Sequence, residues 1–221
     1  VMMGPAKTSR AYSDEEKKLV AYHEAGHAVI GINLPKASKV AKITIIPRGD
    51  AGGYNLMLPE KETYMQTRGH LLAEITALLG GRVAEEIVLD DISTGAHNDI
   101  ERVTRIARMM VVELGMSDLG PIQYQKASQE VFLGRDYGSG RQYSESVAAQ
   151  IDQEVRKIVD EAHAQATEII TKHRDQLNLI AETLIDQETL TQEEIENIAA
   201  GRPLDYTEVL DAEVVNEDQV D

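Results

Sequence analysis

Helix-start signals are the feature that most constrains how this chain can fold. In a capping box, a Ser or Thr side chain and a Glu or Gln three residues later exchange hydrogen bonds with each other's backbone. The sequence contains this pattern at Ser13, Thr63 and Thr191. Because each box sets the first residue of a helix, the sequence predicts a mainly α domain with at least three well-defined helix starts.

Apolar spacing and helix-ending glycines extend the prediction along the chain. From Ser144 onward, apolar residues recur every three or four positions, which is typical of a long helix with one buried face. The elements predicted are helices over 13–30, from 63 to the Gly80-Gly81 pair, 82–88, 99–114, from 144 to a break near 173–175, 177–185 and 191–200, with a loop over 117–142 that contains a short strand at 131–133.

A short β segment is predicted between the first two helices. Residues 40–47 are rich in β-branched side chains, and apolar residues alternate over 54–58, after the Gly52-Gly53 pair. Such a pattern favours a small sheet or a hairpin.

Composition removes several classes of site and partner. The chain of 221 residues contains no Cys, which excludes disulfides, cysteine-ligated zinc, iron–sulfur clusters and thiol nucleophiles. With 38 acidic and 22 basic residues, its formal net charge is −16, so we expect no nucleic-acid partner. No glycine-rich phosphate loop ending in Lys-Ser or Lys-Thr occurs, and we therefore predict no ATP site in this chain.

The clearest chemical signal is His23-Glu24-Ala25-Gly26-His27, inside the first predicted helix. Histidines four residues apart lie one turn apart on the same helix face, where both imidazoles can bind one zinc ion. Glu24 lies beside them and could take a proton from an attacking water. The alternative is a chance match on an amphipathic helix. Against it, apolar residues flank the motif on both sides, and buried polar groups are costly without a metal or partners.

A catalytic zinc ion usually has three protein ligands, and without Cys the third must be His, Asp or Glu. Spacing alone does not choose among the candidates, which are Glu85, Glu86, His97 and Asp99. The remaining histidines lie on other predicted segments and are expected to be structural or on the surface: His70, His163 and His173.

Four blocks in a fixed order resemble one known family. They are Val20-Ala21-Tyr22-His23-Glu24-Ala25-Gly26-His27-Ala28, Gly80-Gly81-Arg82-Val83-Ala84-Glu85-Glu86, Ser93-Thr94-Gly95-Ala96-His97-Asn98-Asp99, and Gly134-Arg135 before Tyr143-Ser144. The chain resembles the protease domain of FtsH, a membrane-anchored AAA+ zinc protease family, over nearly everything except the acidic end.

The resemblance implies a role for each residue of the candidate site. His23 and His27 bind one zinc ion per chain, Asp99 is the third ligand, and Glu24 is the general base. Glu85 is implied to be a neighbouring carboxylate that orients a ligand.

The resemblance also implies an organisation and a setting. The implied function is a zinc endopeptidase for unfolded or membrane polypeptides, fed by an upstream AAA+ module in a membrane-anchored homo-hexamer that serves membrane protein quality control. The domain is then expected on the cytoplasmic, matrix or stromal side, and this fragment is expected to be soluble. The predicted parts are a linker from the ATPase module at 1–12, a zinc peptidase core at 13–142, a C-terminal helical part of the same domain at 143–202 and an acidic, disordered tail at 203–221.

Gly52, Gly53 and Tyr54 form a candidate substrate edge, to which an extended peptide could add through backbone hydrogen bonds. An ordinary hairpin is the alternative there. For the whole chain, one alternative is a helical ring-assembly module with an inactive or structural zinc site. Another is a metallo-hydrolase for a different class of substrate.

Overall fold

The computed structural model describes residues 12–47, 52–58, 65–124 and 143–204. Within these ranges the chain is mainly α with a small sheet, which confirms the predicted fold class. The elements are α1 (Asp14–Asn33), β1 (Lys39–Thr44), β2 (Tyr54–Leu58), α2 (Arg68–Leu89), a 3-10 turn (Thr94–Ala96), α3 (His97–Val112), α4 (Glu145–Lys172), α5 (Arg174–Gln187), β3 (Thr189–Leu190) and α6 (Gln192–Ala199).

Two of the three capping boxes begin helices as predicted. The Ser13 side chain accepts from the Glu16 backbone N–H and the Glu16 carboxylate accepts from the Ser13 N–H, and Thr191 is paired with Glu194 in the same way. Thr63 lies outside the described residues. Helix α2 begins after Thr67, whose hydroxyl accepts from the His70 N–H, so its predicted start at 63 is wrong.

The predicted break at Gly80-Gly81 is also wrong, because α2 runs through both glycines without interruption. They are needed for close packing: a Cβ on Gly26 of α1 would lie 2.3 Å from the Gly80 carbonyl oxygen, and a Cβ on Gly80 would lie 2.6 Å from the Gly26 carbonyl oxygen. A glycine inside a helix is unfavourable by about 0.5–1 kcal/mol relative to alanine. At Gly26 and Gly80 this unfavourable helix propensity accompanies the close crossing of α1 and α2.

Other boundaries shift by a few residues. Helix α1 ends at Asn33 rather than near residue 30, α3 spans 97–112 rather than 99–114, and α5 begins at Arg174 immediately after the break. The two-residue strand β3 was not predicted, and the strand predicted at 131–133 lies outside the described residues.

The sheet is antiparallel, with the strand order β2-β1-β3. Thr44 lies opposite Tyr54 on one side and Thr189 on the other, and the register between β1 and β2 shifts between Val40 and Lys42. Strand β2 is therefore at an edge of the sheet.

Helix α1 lies at the centre of the packing. It contacts α2, α5, α4 and the sheet, and ten consecutive residues, Ala21 to Ile30, are buried. One apolar cluster joins Ala25 of α1 to Ile158 of α4 and Leu184 of α5. Among the described residues, no helix combines the length and apolar character needed to cross a bilayer.

Candidate metal centre

Three polar side chains of α1 are buried in this packing: His23, Glu24 and His27 are each at most 8 % exposed. The two imidazoles fit against α2 because Gly81 has no side chain. A Cβ there would lie 2.6 Å from His23 Nε2 and 2.7 Å from His27 Nε2. The second glycine of the pair thus makes room for the histidines.

Asp99, in the first turn of α3, completes a cluster of three donor atoms. Its Oδ2 lies 3.3 Å from His23 Nε2 and 3.2 Å from His27 Nε2, and the two Nε2 atoms are 3.1 Å apart. A tetrahedral zinc ion with bonds of about 2.0–2.1 Å requires neighbouring ligand atoms about 3.3 Å apart. The three atoms therefore have the spacing and chemistry that one zinc ion requires.

The opposite nitrogen of each imidazole has a hydrogen-bond acceptor. His23 Nδ1 lies 2.7 Å from Glu85 Oε1, and His27 Nδ1 lies 2.8 Å from the Ala77 carbonyl oxygen of α2. When Nδ1–H donates to these acceptors, the lone pair of Nε2 is left for a metal.

Glu85 is completely buried and links His23 to the turn before α3. Its Oε2 accepts from the Ser93 N–H at 2.7 Å, and its Oε1 accepts from the Ser93 hydroxyl at 3.0 Å. Burial alone would raise the pKa of Glu85, but the hydrogen bonds from His23 and Ser93 lower it below its usual value. Glu85 is therefore an anchored carboxylate, and Ser93 is a residue that the sequence did not single out.

His23 and Asp99 shift each other's pKa. Burial lowers the pKa of His23, but hydrogen bonds to Asp99 and Glu85 outweigh it and raise the pKa to about 10. Burial raises the pKa of Asp99, and hydrogen bonds from His23 and His27 outweigh it and lower the pKa well below its usual value. The negative charge of Asp99 and Glu85 thus favours a cation at this position, whether a proton or a metal ion.

Glu24 faces the sheet side of the same centre. Its carboxylate accepts a hydrogen bond from the Asn55 side-chain amide of β2. Burial, opposed by His27 and His23, raises the pKa of Glu24. A buried carboxylate with a raised pKa, beside a metal-binding cluster, is suited to accept and release a proton.

Comparison with known proteins identifies the family. The family model described as Peptidase family M41 matches residues 10–198. The chain belongs to peptidase family M41.

Relatives of this M41 chain carry the name ATP-dependent zinc metalloprotease FtsH. The protein of Acholeplasma laidlawii is 54 % identical over 206 residues, which cover 93 % of this chain and 32 % of that protein. The protein of Bacillus subtilis is 52 % identical over 200 residues, which cover 90 % of this chain and 31 % of that protein. The resemblance to FtsH is confirmed, and the chain spans about a third of the length of these relatives.

Among the candidates for a third ligand in this M41 chain, the structure brings only Asp99 to the Nε2 atoms of both histidines. Glu86 instead binds Arg82 and His163 on the surface of α2, and His97 is exposed. His70 contacts the capping residue Thr67, and His173 lies at the junction of α4 and α5.

The candidate substrate edge lies next to Glu24. A Cβ on Gly53 would be 2.9 Å from Glu24 Oε1 and 2.7 Å from the Thr44 carbonyl oxygen, and the Gly52 carbonyl accepts from the Tyr12 hydroxyl at 2.5 Å. Tyr54 is the first residue of β2. The structure therefore places Gly53 against the side chain of Glu24, with Gly52 and Tyr54 next to it in the chain.

Proposed function

We propose that this chain is a zinc-dependent endopeptidase domain that hydrolyses peptide bonds of unfolded or membrane polypeptides. The proposal rests on the triangle formed by three atoms: His23 Nε2, His27 Nε2 and Asp99 Oδ2. Glu24, which carries the carboxylate, directly follows His23 in the sequence. Family membership and the name zinc metalloprotease of its relatives support the same chemistry.

His23, His27 and Asp99 hold one zinc ion per chain, and Glu85 orients His23 through its Nδ1. When bound there, zinc supplies Lewis-acid chemistry, polarising a peptide carbonyl and making water nucleophilic near neutral pH. The Ala77 carbonyl gives His27 the same support that Glu85 gives His23.

Glu24 acts as the general base. Its carboxylate takes a proton from the attacking water and then gives that proton to the departing amine, so the residue returns to its starting state. Burial raises the pKa of Glu24 and so favours the protonated form that the reaction passes through, while the nearby histidines oppose this shift.

The substrate lies along β2, the outer strand of the described sheet, beginning near Gly52, Gly53 and Tyr54. An added strand would bind through its backbone, which suits substrates of many sequences. The side chains of Leu56 and Leu58 are 45 % and 47 % exposed on this strand and offer an apolar surface beside the backbone contacts.

We further propose the setting that the family resemblance implies. In a longer parent protein, an upstream AAA+ module delivers the polypeptide, ATP is bound there and not in this chain, and six copies form the working ring. The parent is anchored in a membrane with this domain on the cytoplasmic, matrix or stromal side. The relatives' names state ATP dependence, which supports an ATP-binding module elsewhere in the parent protein.

Replacement of the base separates the proposed enzyme from a ring-assembly module with an inactive or structural zinc site. We expect Glu24→Gln to keep one zinc ion per chain and to lose cleavage of an unfolded casein substrate by at least about a hundredfold. Metal analysis and cleavage assays on the same preparations measure both. Undiminished proteolysis by Glu24→Gln would contradict the mechanism, and absence of zinc-dependent cleavage by the unaltered chain would favour the assembly module.

A further inference from the structure

The side-chain amide of Asn55 makes two hydrogen bonds to one residue, Glu24. Asn55, the second residue of β2, uses Nδ2 to donate to the Glu24 carboxylate and, at 3.1 Å, to the Glu24 backbone carbonyl. These bonds connect residues that are 31 positions apart and belong to different elements. They tie β2 directly to the middle of α1.

The oxygen of the same amide has no hydrogen-bond partner among the described residues. Asn55 Oδ1 is the one buried side-chain nitrogen or oxygen, among the residues that the structure describes, without a hydrogen-bond partner. A buried acceptor without a partner lowers the stability of the fold. Rotating the amide by 180° would place Oδ1 against two oxygen acceptors, so Glu24 determines how the amide is oriented.

The Glu24 carboxylate is confined on its other oxygen as well. Gly53 packs so closely that a Cβ there would lie 2.9 Å from Oε1 and 3.0 Å from Cγ of Glu24. One carboxylate oxygen is thus limited by the Gly53 backbone and the other is bonded to the Asn55 amide. Both contacts come from the segment that leads into β2 or from β2 itself.

We propose that Asn55 is a positioning residue for Glu24, and that through this contact the strand proposed to bind substrate also fixes the direction of the general base. The inference rests on the proposed function, because it gives Asn55 a part in the same reaction. A general base must stay within hydrogen-bond reach of the proton it removes, and small errors of position reduce the rate strongly.

The first test compares two variants in the chain as it stands. Asn55→Ala removes the contact, and Asn55→Asp keeps the size of the side chain, removes the donors and sets a second carboxylate against Glu24. We expect kcat for an unfolded fluorogenic peptide to fall about tenfold in Asn55→Ala and at least as far in Asn55→Asp. KM should stay within about twofold, with zinc content unchanged.

Asn33→Ala is the matched control. Asn33 is the last residue of α1, the helix that carries Glu24, and it too uses its amide as a donor, to the Val29 carbonyl and to Gln176, but its partners lie outside the metal cluster. We expect this variant to lower the melting temperature and to leave kcat unchanged. If Asn55→Ala lowered the melting temperature as Asn33→Ala does while kcat stayed at the wild-type value, Asn55 would be structural only and the proposal would be overturned.

A binding measurement gives a readout that is independent of turnover. A peptide hydroxamate binds zinc and passes its proton to the base carboxylate, so its affinity reports on how well that carboxylate is placed. Asn55→Ala should weaken hydroxamate binding about tenfold in the unaltered chain and leave it unchanged in a Glu24→Gln background. Equal weakening in both backgrounds would contradict the proposal.

The two failures are distinguishable. If the unaltered chain shows no zinc-dependent cleavage, the proposed function fails. If the unaltered chain cleaves and loses activity in Glu24→Gln, but Asn55→Ala and Asn55→Asp retain full kcat and full hydroxamate affinity, only the inference about Asn55 fails.

Discussion

Helices α1 and α4 are both long, but they bury their side chains in different ways. Helix α4 has 28 residues and buries five of them, all apolar and spaced along one face. Helix α1 has 20 residues and buries ten in succession, including His23, Glu24 and His27. A helix with one buried face needs only apolar spacing, whereas one buried all round needs small residues at its crossings and a partner for every polar group. The candidate site lies on α1, the helix of this second kind.

The largest expected effect is at the crossing of α1 and α2. Gly26→Val should lower the free energy of unfolding by about 3 kcal/mol or more, because its side chain would meet the Gly80 backbone. Urea unfolding followed by circular dichroism measures this. Gly69→Ala in the first turn of α2 is the control, since a Cβ there meets only the flexible end of Lys36 and helix propensity improves. Equal losses in the two variants would show that the close crossing is unimportant.

The next effect separates the two carboxylates that contact the imidazoles, Asp99 and Glu85. Asp99→Ala removes an atom at contact distance from both Nε2 atoms, and we expect zinc affinity to fall by more than about a hundredfold. Glu85→Ala removes only the support of His23 and should weaken zinc about tenfold. Competition with a chromophoric chelator measures both constants. The reverse order would mean that the third ligand has been assigned to the wrong carboxylate.

A smaller effect on zinc affinity is expected at Ser93, which contacts Glu85. Ser93→Ala removes the hydroxyl that donates to Glu85 and accepts from the Gly95 N–H, but the Ser93 backbone N–H still bonds Glu85. We expect zinc affinity to fall about fivefold, which is close to 1 kcal/mol. The same chelator competition tests it, and a loss as large as that of Glu85→Ala would show that the hydroxyl carries most of the support.

The smallest effect is expected on the exposed side of α4. Asp160→Ala lies away from the buried face, and the free energy of unfolding should change by less than about 0.5 kcal/mol, with zinc affinity unchanged. Urea unfolding and the chelator assay check it. A large loss would show that α4 has a second buried face in solution, and the contrast with α1 would no longer hold.

The sequence predicts the features that depend on local signals and misses those that depend on packing between helices. Capping boxes and apolar spacing located the helix starts at Ser13 and Thr191 and the long helix after Ser144 because these signals are local. The Gly80-Gly81 pair was misinterpreted as a helix end, since a glycine that ends a helix and one that admits a neighbouring helix look alike in sequence.

The residues of the candidate site also divide into those with a local sequence signal and those without one. The i, i+4 spacing predicts His23 and His27 as metal ligands. Spacing alone leaves Asp99 as one of several candidates, and the family resemblance implies it as the third ligand. The supporting contacts from Ala77 and Asn55 had no sequence signal, because one is a backbone carbonyl and the other pairs with Glu24 across 31 residues. Such contacts exist only once the elements have packed.

Proteolysis is proposed to depend on a zinc ion held by His23, His27 and Asp99. Metal analysis paired with cleavage of an unfolded substrate, before and after chelation and again after zinc is returned, tests it most directly. We expect one zinc ion per chain, loss of cleavage when zinc is removed and recovery when it is restored. Cleavage that persists in the zinc-free chain would contradict it.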